Sequence, residues 1–234
     1  MIEILRQRLK TLEDRGMFEG RAYPDGIVPF PRTLIGQGFF PGGDGLWRDA
    51  KRLKQLSPCP FPRSGIMFLG NDFGSLDGFN KLKLHENPPT WRFLRRRIEL
   101  AGVSGALGFF TNAYLGLRSD RDALAHPISN PRYRDLCAEF LDFQLQCQSP
   151  QLVVVLGDRP SELIEHVLGC VSASLGQLIC ASRSGNRIGI LKVSHPYSDL
   201  NKTAESIEGE AETLRAAWQR ICKMTDNDQS KRQN

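Results

Sequence analysis

The chain has 234 residues, of which 40% are hydrophobic, so it can bury the core of one α/β domain and is not a disordered segment. Its 31 lysines and arginines exceed its 26 aspartates and glutamates, and this mild positive charge fits a nucleic-acid partner but is too small to establish one. The N-terminus lacks the apolar stretch of a signal peptide and no segment has membrane-spanning length, so we expect a cytoplasmic protein with no membrane partner.

The first 60 residues predict two helices separated by an irregular segment. Apolar residues recur at helical spacing over residues 2–14, and residues 47–56 predict a short basic helix. Between them, residues 20–45 are rich in glycine and proline, and long loops of this kind are often functional. The part at 33–45 lacks the third glycine of a dinucleotide-binding fingerprint. We expect residues 1–60 to decorate a larger domain.

From residue 65 onward, apolar strands alternate with helices. The predicted strands are 65–70, 106–111, 152–157 and 187–194, and the predicted helices are 90–101, 132–147, 160–168 and 204–223. Strands that are apolar on both faces and separated by helices predict a three-layer α/β/α sandwich with a mostly parallel central sheet of about four strands. We expect a single domain over residues 1–224 and a flexible polar tail over 225–234.

The cysteines do not have the spacing of a metal site. No two of them form a C-x-x-C pair, and several lie in apolar segments, where a buried reduced thiol is expected. The six are Cys59, Cys137, Cys147, Cys170, Cys180 and Cys222. We predict that the protein is a monomer that binds no metal and no cofactor.

Three polar side chains of different chemistry follow the predicted strands. Asp72 comes just after the first strand, Asn112 after the second and His195 after the fourth. Ligands of parallel sheets bind beyond the carboxyl ends of the strands, so we expect these side chains on one rim. Each alone has an ordinary interpretation, as a turn-forming Asp or Asn or as a structural His. It is their order along an α/β chain that indicates a functional site.

Short motifs around these residues resemble, in order, those of the uracil-DNA glycosylase superfamily. The G-N-D-F-G at residues 70–74 is similar to its G-x-D-P-Y or G-x-N-P-G motif, and the T-N-A at 111–113 is similar to its L-N-A or T-N segment. The H-P-Y-S at 195–198 resembles its H-P-S loop with one residue inserted, and the strand at 153–157 falls where that family has V-V-x-L-G. The resemblance runs from about residue 65 to residue 201.

The resemblance implies a site that removes a base from DNA. Breaking an N-glycosidic bond builds positive charge on the sugar and negative charge on the departing base, after the base has been flipped into a pocket. Asp72 would stabilise the sugar cation and orient or deprotonate the attacking water. Asn112 would read the base through its carboxamide, and His195 would donate to the base carbonyl or contact a phosphate.

The resemblance also implies supporting residues. A flipped base stacks on an aromatic ring, for which Phe79 is the first candidate and Phe73 the second, although either residue also fits a plain core position. Asn71 and Gly74 complete the base-binding candidates. The DNA-binding candidates are Gly70, Ser75, Pro196, Tyr197, Ser198 and Leu200, of which Tyr197 or Leu200 would wedge into the gap left by the base.

A group of arginines on the predicted helix 90–101 has two interpretations. They are Arg92, Arg95, Arg96 and Arg97. They would either track the DNA backbone or form a solvated helix face, and we favour the solvated face. No lysine is predicted at the site, so we expect no Schiff-base intermediate.

The motif at residues 70–74 departs from the uracil-specific branch at its last position. That branch has a tyrosine whose ring fills the space beside C5 of the base, and this chain has Gly74. We therefore expect a monofunctional DNA glycosylase that accepts C5-modified, even hypermodified phage, pyrimidines, in phage defence or base excision. A uracil or mismatch-repair glycosylase is the alternative of the same class. A catalytically inactive DNA-binding member is the alternative of another class.

Overall fold

A computed structural model describes residues 2–29, 63–81, 89–104, 108–119, 129–171, 173–183 and 185–233. The predicted loop at 33–45, the predicted helix at 47–56 and Cys59 lie outside the described residues.

The four strands and four helices predicted from residue 65 onward are all present in the described chain, together with further short elements. The strands are Ile27–Val28 (β1), Ile66–Gly70 (β2), Gly108–Asn112 (β3), Leu117–Arg118 (β4), Leu152–Leu156 (β5), Leu178–Arg183 (β6) and Asn186–Val193 (β7). The helices are Ile2–Glu13 (α1), Leu76–Lys81 (α2), Pro89–Leu100 (α3), Pro131–Gln148 (α4), Asp158–Leu168 (α5) and Ala204–Gln233 (α6), with a 3₁₀ helix at Pro196–Asn201. The last helix extends through the segment predicted as a flexible tail.

The central sheet has five strands in the order β3-β2-β5-β7-β6, and β1 pairs with β4 in a separate two-stranded sheet. The first four strands of the central sheet are parallel, and β6 runs antiparallel to β7. The α/β class and the mostly parallel sheet are confirmed, and the predicted count of about four strands is wrong. β6 was missed because it is a half-exposed edge strand without the continuous apolar run of the other four.

Two apolar clusters lie on opposite faces of this sheet. Side chains alternate along each strand, so Met67 and Leu69 of β2 join one cluster while Ile66 and Phe68 join the other. Helices α1, α4 and α5 cover the first face, and α3 and α6 cover the second. Cys137 lies in the first cluster, where burial raises the pKa of its thiol to about 12, as expected of an inert buried cysteine.

The main helix of the first layer begins at a capped end. The Asn130 side chain accepts a hydrogen bond from the Tyr133 amide at 3.2 Å, and Pro131 occupies the first turn, where a missing N–H costs nothing. Within the described part of the chain, no helix combines the length and apolar character needed to cross a bilayer.

Candidate functional site

The ends of β2 and β3 are joined directly at the carboxyl edge of the sheet. Gly70 and Asn112 are register partners, and the amides of Ala113 and Tyr114 donate to the carbonyls of Gly70 and Asn71, each at 2.8 Å. A Cβ on Gly70 would collide with Oδ1 of Asn112. Glycine is therefore needed at position 70 so that the Asn112 carboxamide can lie over the backbone of β2.

Asp72 is held by two hydrogen bonds and one ion pair. Its Oδ1 accepts from the Gly74 amide at 2.9 Å, its Oδ2 accepts from Nδ2 of Asn71 at 3.0 Å, and Nε of Arg118 lies 3.3 Å from the same Oδ2. The bond to Gly74 makes Asp72 a cap of its own loop, as in the structural interpretation of the sequence. The carboxylate is 15% exposed, so it is both fixed in place and within reach of a small reactant.

Arg118 was not identified from the sequence. It lies on β4, its amide donates to the carbonyl of Gly74 at 2.9 Å, and it forms an isolated bridge with Ser75. Arg118 lies in a strand of only two residues, far along the chain from the loop at 70–75. The sequence around it therefore does not indicate this contact. The ion pair arises only when β4 is brought against that loop.

Asn112 is buried, with 2% of its surface exposed, and its Nδ2 has no hydrogen-bond partner among the described residues. A turn-forming asparagine would bond its own backbone, and no such bond forms here. Leaving a buried amide nitrogen without a partner costs about 1–3 kcal/mol. An acceptor on a bound water or on a ligand would complete this donor.

His195 caps the 3₁₀ helix that follows β7. Its Nδ1 accepts a hydrogen bond from the Tyr197 amide at 3.3 Å, which leaves Nε2 as the protonated nitrogen of a neutral imidazole. Burial, and after it the positive charge of Arg97, lower the pKa of His195, while Asp72 and Asp199 act in the opposite direction. The imidazole is therefore held neutral, with one N–H available as a donor.

A cavity of about 550 Å³ opens beside His195. Asn71, Ser198 and Lys192 also line it, together with the first turn of α5. The structure thus brings three of the predicted site residues to one wall: Asn71, His195 and Ser198. Asp72 and Asn112 lie at the neighbouring strand ends and do not line the cavity.

Lys192 corrects the prediction that no lysine lies at the site. It is the second-to-last residue of β7, so its long side chain reaches the rim from the end of a strand whose central residues are buried. Its Nζ lies 2.7 Å from Oδ1 of Asp158, and its side chain is 15% exposed. A lysine within a predicted strand carries no signal in the sequence that it reaches a cavity at the end of the sheet.

The other base-binding candidates differ in their surroundings. Phe73 is half-buried and packs against the first apolar cluster, which fits the core interpretation. Phe79 lies on α2, and its side chain is outside the described residues. Gly74 has a φ of +85°, in the region that favours glycine, and no described atom lies within 4 Å of the position of a Cβ.

The DNA-binding candidates fall into two groups. Ser75 is buried and its Oγ accepts from the Gly78 amide at 3.1 Å, so its hydroxyl caps α2. Pro196 is buried as well. Tyr197 and Leu200 project from the 3₁₀ helix with 53% and 52% of their surfaces exposed, as a wedge requires.

The interpretation of the arginines on α3 as a solvated face is wrong for one of them. Arg97 is 3% exposed and forms ion pairs with Asp199 and Glu210. The helical repeat turns it towards α6 while Arg92 and Arg96 stay exposed. Within the described residues, no group of three His, Cys, Asp or Glu side chains has the arrangement of a metal site.

Comparison with known proteins adds no assignment to this geometry. No protein-family model and no curated protein sequence matches the chain. The resemblance to the uracil-DNA glycosylase superfamily therefore rests on the motifs at residues 70–74, 111–113 and 195–198.

Proposed function

We propose that this protein is a monofunctional DNA glycosylase that flips a pyrimidine out of DNA and hydrolyses its N-glycosidic bond, leaving an abasic site. One observation carries the proposal: Asp72, Asn112 and His195 stand at the carboxyl ends of three parallel strands of one sheet, the position at which such strands bind ligands. The Asp72 carboxylate is close enough to act on the pKa of His195.

In the proposed reaction, the bond between C1′ of the sugar and the base nitrogen breaks as positive charge grows on the sugar. The Asp72 carboxylate stabilises that charge and accepts a proton from the water that adds to C1′. The electron pair of the broken bond leaves with the base, and Nε2–H of His195 donates to the base carbonyl on which the charge collects. The buried donor Nδ2 of Asn112 completes the reading of the base.

DNA is the proposed partner on the strength of the surface beside this site. Tyr197 and Leu200 are half-exposed on the short helix that begins directly after His195. Apolar side chains so placed fill the gap that a flipped base leaves in the stack. The net charge of +5 also favours association with the phosphates of DNA, whatever the base sequence of that DNA.

A C5-modified pyrimidine is the proposed substrate, slightly ahead of uracil. Gly74 presents no side chain, and the space that a Cβ would point into is open among the described residues. A methyl, hydroxymethyl or larger group at C5 therefore meets no wall from this position. Removal of such a base would serve either phage defence or base excision.

Water is the proposed nucleophile even though Lys192 lies in the cavity. Its ammonium is paired with the carboxylate of Asp158 at 2.7 Å, and a nucleophilic lysine has to be neutral. Borohydride reduction during turnover should therefore trap no covalent protein–DNA adduct. A trapped adduct that disappears in Lys192→Met would show that the enzyme is not monofunctional.

The proposal is tested by strand nicking after alkali on duplexes that carry uracil, 5-hydroxymethyluracil or glucosylated 5-hydroxymethylcytosine. Alkali cleaves abasic sites, so a glycosylase gives nicks only after the treatment. We expect nicks on at least one of the C5-modified duplexes and none on unmodified DNA. The absence of nicks on every modified or mismatched duplex would refute the proposal.

A further inference from the structure

The segment that carries His195 has little structure of its own to hold it. Residues 194–203 connect β7 to α6, and their only regular element is a 3₁₀ helix of six residues. Tyr197, Ser198 and Leu200 are exposed and Pro196 is buried, so burial of apolar side chains holds the segment only at its first residue after His195. Its position must come from contacts with neighbouring elements.

One guanidinium from α3 supplies most of those contacts. Nε of Arg97 donates to Oδ2 of Asp199 at 2.8 Å, and Nη1 donates to the carbonyl oxygen of Ser194 at 2.8 Å. Nη2 bonds the second oxygen of Asp199 and Oγ of Ser194, and Nη1 also lies 2.6 Å from Oε2 of Glu210. The guanidinium thus donates four hydrogen bonds, all to Asp199 and Ser194, and these two residues bracket His195 in sequence.

The surrounding charges form a balanced group of two cations and two anions. Lys202 pairs with Glu210 of α6 and lies 3.3 Å from Oδ1 of Asp199, and it also bonds Oγ of Ser194. The side chains of Arg97 and Asp199 are 3% and 0% exposed. Buried ion pairs of this kind often add little stability compared with apolar packing, so their geometry is the more informative property.

We propose that Arg97 is a positioning residue that fixes the backbone on both sides of His195 and so sets the imidazole at the cavity wall. The inference rests on the proposed function, because one of its tests measures the rate of base excision. The carbonyl that Arg97 binds belongs to the residue immediately before His195, so a shift of the guanidinium is transmitted to the imidazole through one peptide unit. A lysine at position 97 would keep the charge but lose the planar fork that holds two oxygens of Asp199.

The positive charge of Arg97 also acts on the pKa of His195, and this effect can be measured separately from the hydrogen bonds of the guanidinium. Burial is the largest cause that lowers the pKa of His195, and Arg97 is the next. The charged groups around His195 are Arg97 from α3, Asp199 from the 3₁₀ helix, Asp72 from the end of β2, and Asp158, Arg159 and Lys192 across the cavity. Loss of the positive charge at position 97 should move the protonation of His195 to higher pH, whereas Arg97→Lys should leave it in place.

The test uses two variants of the full chain and one control. Arg97→Lys keeps the charge, and Arg97→Met combined with Asp199→Leu removes both members of the pair, so that no buried charge is left alone. The matched control is Arg215→Met. Arg215 also joins α6 to α3, through bonds to the carbonyls of Leu100 and Ala101, but it makes no described contact with residues 194–202.

In both variants we expect amide hydrogen exchange at Ser198 and Lys202 to become at least about tenfold faster, because their hydrogen bonds lie within the released segment. The single-turnover excision rate at saturating DNA should fall about a hundredfold, as for a misplacement of about 1 Å. The low-pH limb of the rate and the NMR titration of His195 should move to higher pH in the double variant only, because the effect of Arg97 on the pKa exceeds the opposite effect of Asp199 that is lost with it. Arg215→Met should show none of these changes.

Wild-type exchange at Ser198 and Lys202 in the folded variants would overturn the inference, and so would a wild-type excision rate. The inference would also be overturned if the excision rate fell only in proportion to the folded fraction and fell equally in Arg215→Met. The role of Arg97 would then be merely structural. If the wild-type protein excises no base, the proposed function fails separately. The exchange and titration measurements on the free protein then still decide whether Arg97 positions His195.

Discussion

Gly74 is an open position in the loop around Asp72. Its φ of +85° suits glycine, and no described atom would touch a Cβ placed there. The absence of a side chain is visible in the sequence, but the open space beside it is a property of the folded loop. Together they make Gly74 the residue whose substitution should change which base is removed.

Gly74→Tyr should slow excision of C5-substituted pyrimidines at least about tenfold more than excision of uracil, because the ring would occupy the space beside C5. Single-turnover rates on paired uracil and 5-hydroxymethyluracil duplexes measure this ratio. A tyrosine at positive φ also strains the backbone by about 1–3 kcal/mol. Gly20→Tyr controls for the strain, since Gly20 has a φ of +82° and equally open surroundings.

The control variant should lose stability and keep the wild-type ratio of the two rates. An equal loss on both substrates in Gly74→Tyr would contradict the role proposed for Gly74.

His195 gives a prediction about stability as a function of pH. Burial and Arg97 lower its pKa from the ordinary value of 6.5, so below pH 6.5 the unfolded chain binds more protons at this residue than the folded one. The stability that neutral His195 contributes is therefore complete above pH 6.5 and is lost as the pH falls through the lowered pKa. We expect the wild type to lose more unfolding free energy than His195→Gln between pH 7 and pH 5.

Denaturant unfolding at several pH values measures that difference, because the other three histidines are common to both proteins. Parallel stability curves for the two proteins would show that the pKa of His195 is not lowered by folding.

Arg118 and Arg97, which only the structure identifies as site residues, both contact partners that are distant in sequence. Arg118 contacts Asp72 across 46 positions of sequence, and Arg97 contacts Ser194 across 97. Each looks like an ordinary surface arginine when the chain is read along its length. Their partners are set by how β4 and α3 pack, which the local pattern does not encode.

At the scale of elements, the 3₁₀ helix Pro196–Asn201 presents the proposed wedge. Tyr197→Ala and Leu200→Ala should each slow excision from duplex DNA about tenfold and leave excision from single strands nearly unchanged, because only a duplex has a stack to hold open. Both side chains are half-exposed, so unfolding free energy should change by less than about 0.5 kcal/mol.

Ile4→Ala is the matched control, since Ile4 is 52% exposed on α1 and is not part of the site. Rates on matched single- and double-stranded substrates check the prediction. Equal effects on both substrates would show that Tyr197 and Leu200 do not act as a wedge.

The elements predicted best were those with continuous apolar runs. β2 and β5 were located to within one residue, because buried parallel strands are apolar on both faces. β7 was located as closely, from the buried run at its centre, residues 188–191. β6 was not found, since its half-exposed pattern resembles a loop. The length of α6 was underestimated, because its last turns are polar and lack the helical repeat of apolar residues that marks its first part.

At the scale of the whole molecule, parallel topology explains why the site was predictable in outline. Once the strands are parallel, the residues that follow them must share one edge, and Asp72, Asn112 and His195 do so. What the topology leaves undetermined is which side chains reach the cavity. Lys192 and Asn71 line it, whereas Asp72 and Asn112 stand beside it.

The most direct test of the central proposal compares alkali-dependent nicking by the wild type, Asp72→Asn and Asp142→Asn on a duplex that carries a C5-modified pyrimidine. Asp142 is a suitable control because it is also a half-buried aspartate in an ion pair, with Arg183 at 2.5 Å. We predict nicking by the wild type and by Asp142→Asn, and a rate at least about a hundredfold lower for Asp72→Asn. Full activity in Asp72→Asn, or no nicking by the wild type on any modified duplex, would contradict the proposal.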